Sequence, residues 1–443
     1  MMKVRRSKYV LSWKVSVLLG VFLALSRAQA SSRTELSIPG VYLAVSNHQD
    51  DSSVQKWAVK AGVEAHRIPG STRHWEIRRA GAWSEAQILG SGLFEEVQAD
   101  AWMDSSWRSE EVTSGFSFLS VLPESLAKFL LPDDVPLGSN WALERIHAPE
   151  AWTRRTSTDD VIVAVLDSGV DVDHPDLAAN IWRNEDEIPG NGIDDDHNGW
   201  VDDIHGYDSH FERVEVQDQV GHGTYLAGII GAVGNNGIGS SGVAWRTRMM
   251  VIRGDDARRM SWTGAIKGAY YARDNGARVI NASWGTYSAT TGLRQMLLDM
   301  EAAGVMVVNA VGNNSNNVDT QHRAYPSGYA TSNLIAVSAL HPNGSLVHYA
   351  DHGEKYVHLA APGWGIPTTA LGGKYTAQAG CSVATPFVTA AVAMVWAEHP
   401  EWSHHQVRDQ ILSTVDVLPT LRGKVATSGV LNLGRALGVE TTR

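Results

Sequence analysis

The sequence predicts an α/β fold: a mostly parallel sheet with helices on both faces, preceded by a small α+β unit. Two observations carry this. From about Ser139 onward, nearly continuous apolar runs alternate with runs of helical spacing, as in strands buried on both faces and joined by crossover helices. Before that, from Ser31 to Ala101, shorter strand-like runs flank one helical run and are separated by glycine and proline.

The elements follow in order. Lys3, Arg5, Arg6, Lys8 and Lys14 form a positive stretch, Val15–Leu25 an apolar one, and Ala28-Gln29-Ala30 a small-residue cleavage site. This is the pattern of a signal peptide over residues 1–30, and it implies export to the extracellular space or periplasm. The apolar stretch is too short for a stable membrane anchor. Over 31–101, GVYLAVSN reads as a strand, VQKWAVKAGV as a helix, and HWEIRRA and LFEEVQAD as strands, a βαββ unit. Residues 102–137 are mixed and read as a linker. Residues 138–440 form the larger domain, with strands at VIVAVLD, MMVIR, RVINASW, VMVVNAVG, LIAVSAL and YVHLAAPG. Helices are expected after His222, over SWTGAIKGAYYARDNG, over TTGLRQMLLDMEAAG and from Ser382 onward. The last is uncharged from Cys381 to Ala397, but Thr385, Pro386 and Thr389 make it a core helix rather than a membrane span.

Composition excludes some classes. Of the 443 residues, 19% are charged and 43% hydrophobic, as in soluble globular chains, and the net charge is -11. No basic cluster beyond the N-terminus suggests nucleic-acid binding. Cys381 is the single cysteine, so no intramolecular disulfide forms. The Gly237-Ile238-Gly239-Ser240-Ser241-Gly242 run spells a dinucleotide-loop pattern but follows a helix and precedes a strand, the reverse of the required context.

Three segments carry chemistry. VIVAVLDSGV brings Asp167 to the end of a strand; GHGTYLAGII places His222, and AGCSVATP places Ser382, at the start of a helix. A serine hydroxyl is a weak nucleophile at neutral pH. It needs an imidazole to take its proton, and the imidazole needs a carboxylate to fix its tautomer. Helix starts also favour an anionic intermediate. Sites in open parallel sheets form at the carboxyl ends of strands, where Asp167, Ser283 and Asn313 fall.

These motifs, together with SNWALERIHAPEAW and TSGVLNLGRAL, resemble the subtilisin-like serine proteases over roughly the last 300 residues. The order Asp, His, Ser is one this family is known for. The resemblance implies that Asp167, His222 and Ser382 form the triad. It implies that Asn313 stabilises the oxyanion with the Ser382 backbone N–H, Asn314 being the rival if the register slips by one. It further implies that Ser283, Trp284 and Gly285 pair with extended substrate backbone, and that Ala310, Val311 and Gly312 wall the pocket before the scissile bond. Protein or peptide substrates follow, and residues 31–101 are expected to be an inhibitory propeptide that the enzyme removes itself, cutting between about Ala101 and Val135. Tyr225 and Cys381 stand where the family usually has histidine and threonine. A bulky thiol reagent at Cys381 is expected to crowd Ser382 and inhibit. An inactive, peptide-binding relative is the alternative function, and a limited-specificity processing protease is a third.

In NGIDDDHNGWVDD, Asp194, Asp196, Asn198 and Asp202 alternate around Gly199 much as ligands do in calcium loops. Position twelve is His205 rather than glutamate, so this is not an EF-hand. Structural calcium is expected here; a solvated acidic turn is the other reading.

Overall fold

A computed structural model describes residues 37–46, 51–78, 85–89, 91, 93–101, 110–111, 140–255 and 259–441. The signal segment at 1–30 and nearly all of the linker at 102–137 lie outside these described residues.

The N-terminal unit runs β1 (Ser37–Ser46), α1 (Asp51–Ala61), β2 (Glu64–Arg67), β3 (His74–Arg78), α2 (Glu85–Leu89) and β4 (Phe94–Ala101), with sheet order β2-β3-β1-β4. This is the split βαββαβ arrangement. The sequence pattern missed β2 and α2, which are too short for a period to register. Val54 and Ala58, one turn apart on α1, pack with Ala44, Trp75, Ile77 and Phe94.

A two-residue strand β5 (Glu110–Glu111) follows, then α3 (Trp141–Arg145), α4 (Ala148–Trp152), β6 (Ser157–Asp167), β7 (Gly206–Asp208), α5 (His222–Gly231), β8 (Arg246–Arg253), α6 (Trp262–Asp274), β9 (Ala277–Ala282), α7 (Thr291–Ala302), β10 (Met306–Ala310), β11 (Leu334–Leu340), β12 (Leu359–Pro362), β13 (Ile366–Ala370), β14 (Lys374–Ala379), α8 (Cys381–Glu398), α9 (His404–Ser413), β15 (Asp416–Val417), β16 (Gly429–Val430) and α10 (Leu433–Ala436). Nine strands form one sheet in the order β15-β16-β12-β11-β10-β9-β6-β8-β7. Every pairing in it is parallel except that of β15 with β16.

Strand side chains alternate between faces, so continuous apolar strands feed two cores. Val163 and Val165 of β6, Met249 and Val251 of β8, and Met306 and Val308 of β10 join one core with Ile230 of α5 and Phe387 of α8. Ala164, Leu166, Met250, Ile252 and Val307 join the other, with Ile266 of α6 and Met296 of α7. The apolar helix α8 is 89% buried over its length, which makes it a core helix.

The N-terminal unit docks on α6 and α7. Helix starts leave N–H groups without intrahelical acceptors. At α6 the Ser261 hydroxyl takes the Gly264 N–H, and Asp100 Oδ1 on β4 takes that of Thr263 at 3.3 Å. At α7 the Thr290 hydroxyl takes the Leu293 N–H, and Glu96 Oε1 on β4 takes that of Thr291 at 3.2 Å. Leu43 of β1 packs where a Cβ on Gly292 would stand 2.4 Å away. Buried Lys267 on α6 donates to Glu76 of β3 at 2.5 Å and also pairs with Glu212. Residues from Ile38 onward form one compact unit as a result.

Candidate active site

Asp167 ends β6, where the strand stiffens it. Its Oδ1 accepts from the Ser168 N–H at 2.8 Å and faces His222 Nδ1 at 2.7 Å, and both side chains are buried. His222 reaches this place because α5 starts very close to the end of β6. A Cβ on Gly223 would meet Gly169 O at 2.0 Å and Asp167 Cβ at 3.4 Å, so glycine is required there. Gly221, the residue before the helix, has φ +101°, a conformation that glycine adopts without strain.

A residue the sequence pattern did not single out fixes this helix start. Asp218 Oδ1 accepts from the N–H groups of Val220 and Gly221, each at 2.8 Å, and from the Ser168 hydroxyl at 3.0 Å. Its Oδ2 accepts from the Thr224 N–H and hydroxyl at 3.0 and 2.7 Å. The Ser168 hydroxyl in turn accepts from Gly223 N–H at 2.9 Å, tying the loop after β6 to α5. A carboxylate at a helix N-terminus is also favoured by the dipole.

Ser382 is the second residue of α8, after Gly380 with φ +140°, and is fully buried. α8 packs on α5, the helix that begins at His222. Ser382 Oγ and His222 Nε2 make no hydrogen bond among the described residues. The structure therefore closes the Asp167–His222 link and leaves the His222–Ser382 link open. Such bonds commonly tighten only when substrate is bound.

Pro386 explains how Ser382 is held. Proline has no N–H to give the carbonyl four residues earlier, which is that of Ser382. The Ser283 hydroxyl donates to that carbonyl instead, at 2.9 Å, and Asn281 donates to the Ser283 oxygen at 3.0 Å. Ser283 thus lies directly against the backbone of Ser382. Trp284 beside it donates its indole N–H to Leu166 O at 3.0 Å, which fixes the 283–285 segment across the end of β6.

Asn313 Oδ1 accepts from the Cys381 N–H at 2.9 Å, which places its carboxamide next to Ser382. Asn314 points elsewhere, its Nδ2 donating to the Tyr287 hydroxyl at 2.8 Å. The loop after β10 is organised by Asp351, a fully buried carboxylate that the sequence reading also overlooked. Its Oδ1 accepts from the Asn314 and Asn316 N–H groups at 2.9 and 2.8 Å, and its Oδ2 from Tyr287 at 2.5 Å. Ala310 and Val311 are buried at the end of β10, and Gly312 (φ +121°) leaves the room that Asp351 and Tyr287 occupy. Burial pushes the Cys381 thiol up to about 12. It is thus a neutral, enclosed thiol, which weighs against the ready reagent attack expected from sequence.

The acidic loop divides. Single oxygens of Glu187, Asp194 and Asp196 lie within 4.8 Å of one another. Asn198 sits beside them, its Nδ2 donating to Asp196 Oδ2 at 2.9 Å. Asp202 donates its N–H to Glu187 Oε2 at 2.9 Å, and its carboxylate accepts from the N–H groups of Gly190 and Gly192 at 2.6 and 3.1 Å. Glu187 was missed because it lies outside the alternating run; its Oε1 accepts from Asp195 and Asp196 N–H groups and holds the loop in shape. Clustered hard oxygen donors of this kind suit calcium, which would offset their repulsion.

The family model described as the subtilase family, a class of peptidases, matches residues 158–438. Subtilisin of Bacillus pumilus is 32% identical over 281 residues, covering 63% of this chain and 92% of that protein. Subtilisin-like protease 1 of Plasmodium falciparum (isolate 3D7) is 30% identical over 297 residues, covering 62% of this chain, and the match spans only 43% of that longer protein. The crystal structure of fervidolysin from Fervidobacterium pennivorans, described as a keratinolytic enzyme related to subtilisin, superposes with a TM-score of 0.73 at 22% identity, over 93% of this chain and 62% of that one. At that identity the likeness speaks for the fold.

Proposed function

The chain belongs to the subtilase family, and from that premise we propose that it is an exported serine endopeptidase with a self-removed propeptide and structural calcium. The observation that carries this reading is the Asp167–His222 pair at 2.7 Å, formed at the start of α5, which packs against the helix α8 that bears Ser382. In the proposed reaction, Ser382 Oγ adds to a peptide carbonyl and gives its proton to His222 Nε2. Asp167 holds the imidazole in the tautomer that can accept it and stabilises the charge formed. The Asn313 amide and the Ser382 N–H take the oxyanion, the imidazolium protonates the leaving amine, and water releases the acyl group. The 283–285 and 310–312 segments flank the nucleophile and suit an extended substrate held as an added strand.

Residues 31–101 act as the propeptide. The carboxylates of Glu96 and Asp100 at the starts of α7 and α6 support this, since they would guide the two helices onto the sheet during folding. Glu187, Asp194 and Asp196, with Asn198 beside them, would hold calcium, which when bound neutralises the cluster and stiffens the 187–203 loop. Chelation should then lower the unfolding temperature of the Ser382→Ala chain, with calcium restoring it; an unchanged temperature argues for a solvated turn.

The deciding experiment is turnover of a denatured protein by the native chain and by Ser382→Ala. The native chain should degrade it and the variant should not. Binding without turnover by the native chain would favour the inactive peptide-binding alternative.

A further inference from the structure

Between Val308 and Ala310, in an otherwise apolar strand, β10 carries Asn309, which is fully buried. Asparagine is depleted in strands, and taking a carboxamide out of water costs free energy wherever it is left without a hydrogen bond. Here only the nitrogen is used. Nδ2 donates to Ala282 O at 2.9 Å and to Trp284 O at 2.8 Å, while Oδ1 accepts no hydrogen bond among the described residues. Both partners are carbonyls, which the nitrogen alone can serve. A valine would fill this place in β10 without that cost, so the amide points to work done on those two carbonyls.

The two carbonyls belong to residues two apart, and the backbone groups of an extended chain alternate in direction from one residue to the next. Thr286 continues the series, exchanging N–H to O bonds with Tyr325 at 2.9 and 2.8 Å. Ala282, Trp284 and Thr286 are thus held by β10 and by the chain that leads from it to β11. Ser283 and Gly285 face the other way, toward the side where β6 stops, for its register with β9 ends with Val165 opposite Asn281. Among the described residues no strand pairs with 283–285 on that side. The same stretch leans on α8, through the bond from the Ser283 hydroxyl to Ser382 O.

We propose that Asn309 is a positioning residue for extended substrate. By holding the alternate carbonyls from behind, it fixes the backbone groups of Ser283 and Gly285 in the direction that an added strand pairs with. This rests on the endopeptidase reading and deepens it, since the amide then sets how much the enzyme gains from a longer peptide. Without the Nδ2 bonds the stretch is still tethered by the Trp284 indole to Leu166 O and by Thr286 to Tyr325. It should stay in place and lose its fixed direction, so the loss should fall on pairing and spare the reaction centre.

The test compares the native chain with Asn309→Ala and Asn309→Val, expressed in full with calcium and matured by tagged native enzyme that is then removed. One readout is the labelling rate with an active-site phosphonate that bears a single residue. The other is kcat/KM for peptides lengthened one residue at a time before the cleaved bond. In the native enzyme kcat/KM should rise with length. In both variants that rise should shrink by about tenfold or more, while labelling and the shortest substrate stay within about threefold of native. A purely structural role would lower the urea midpoint and depress every substrate and the labelling alike; that pattern, or an unchanged dependence on length, overturns the proposal. Asn309→Val keeps the strand packed without the donors, so recovery of the length dependence in it would also overturn the proposal. A native chain that neither cleaves nor labels overturns the endopeptidase reading and this proposal with it, whereas native labelling with an unchanged length dependence overturns the proposal alone.

Discussion

Replacing Glu96 and Asp100 by alanine should loosen the proposed propeptide without touching Asp167, His222 or Ser382. These carboxylates accept the N–H groups of Thr291 at 3.2 Å and Thr263 at 3.3 Å at the two helix starts. Hydrogen bonds to charged groups contribute about 1.5–3 kcal/mol, but these are longer than the ~2.7–2.9 Å typical of strong charged pairs. A contribution of about 1 kcal/mol each is therefore reasonable, with roughly 0.3–0.5 kcal/mol more from the helix dipole. The two act on different helices, so their effects should nearly add. The sum, about 2.6–3 kcal/mol, corresponds to roughly an 80- to 160-fold rise in the inhibition constant. The assay is titration of mature enzyme with residues 37–101 supplied in trans, native or doubly substituted, following cleavage of a small peptide. An unchanged inhibition constant would refute the idea that these two contacts hold the propeptide.

Three further outcomes are expected. Asn313→Ala should lower kcat by about 10²–10³ with little change in KM, whereas Asn314→Ala, which loses the bond to Tyr287, should leave kcat within a few-fold; equal losses would mean the loop as a whole is at fault. Folded mature enzyme should react with a thiol reagent far more slowly than the urea-unfolded chain, because Cys381 is enclosed and its ionisation is pushed up to about 12; rapid inactivation of the native enzyme that Cys381→Thr abolishes would show the site to be more open. Burial lowers the His358 imidazole from 6.5 to about 3. Between those values the unfolded chain binds the extra proton, so stability is fully present above pH 6.5 and falls on acidification by about 1.4 kcal/mol per pH unit from this group. Urea unfolding of His358→Gln at several pH values should show a shallower slope, and an identical slope would exclude His358 as a source.

Much of the fold was legible because the strands are buried on both faces. Runs such as VIVAVLD in β6 and LIAVSAL in β11 are continuous, and in the structure alternate residues of β6 enter different cores. The helices α6 and α7 were legible through their spacing. β2 and α2 were not, since four or five residues define no period. In the site, Asp167, His222, Ser382 and Asn313 stood out because each sits in a motif of small residues at a strand end or helix start. Asp218 and Asp351 did not, because their work is to gather backbone N–H groups from loops, and nothing in their immediate sequence records which N–H groups those will be. The bond from Ser283 to the Ser382 carbonyl joins residues 99 apart and depends on a proline freeing that carbonyl. Glu187 joins the acidic cluster through the folding of its loop, which the alternating run that flagged Asp194 and Asp196 did not include.

The central claim is that Asp167, His222 and Ser382 work as one unit to make a hydroxyl reactive. Its most direct measurement is the mass of peptides from the matured chain after treatment with an active-site phosphonate. The adduct should sit on Ser382, and in His222→Ala and Asp167→Asn chains matured by native enzyme in trans its rate of formation should fall by orders of magnitude. An adduct on another residue, or labelling of Ser382 at the native rate without His222, would contradict it.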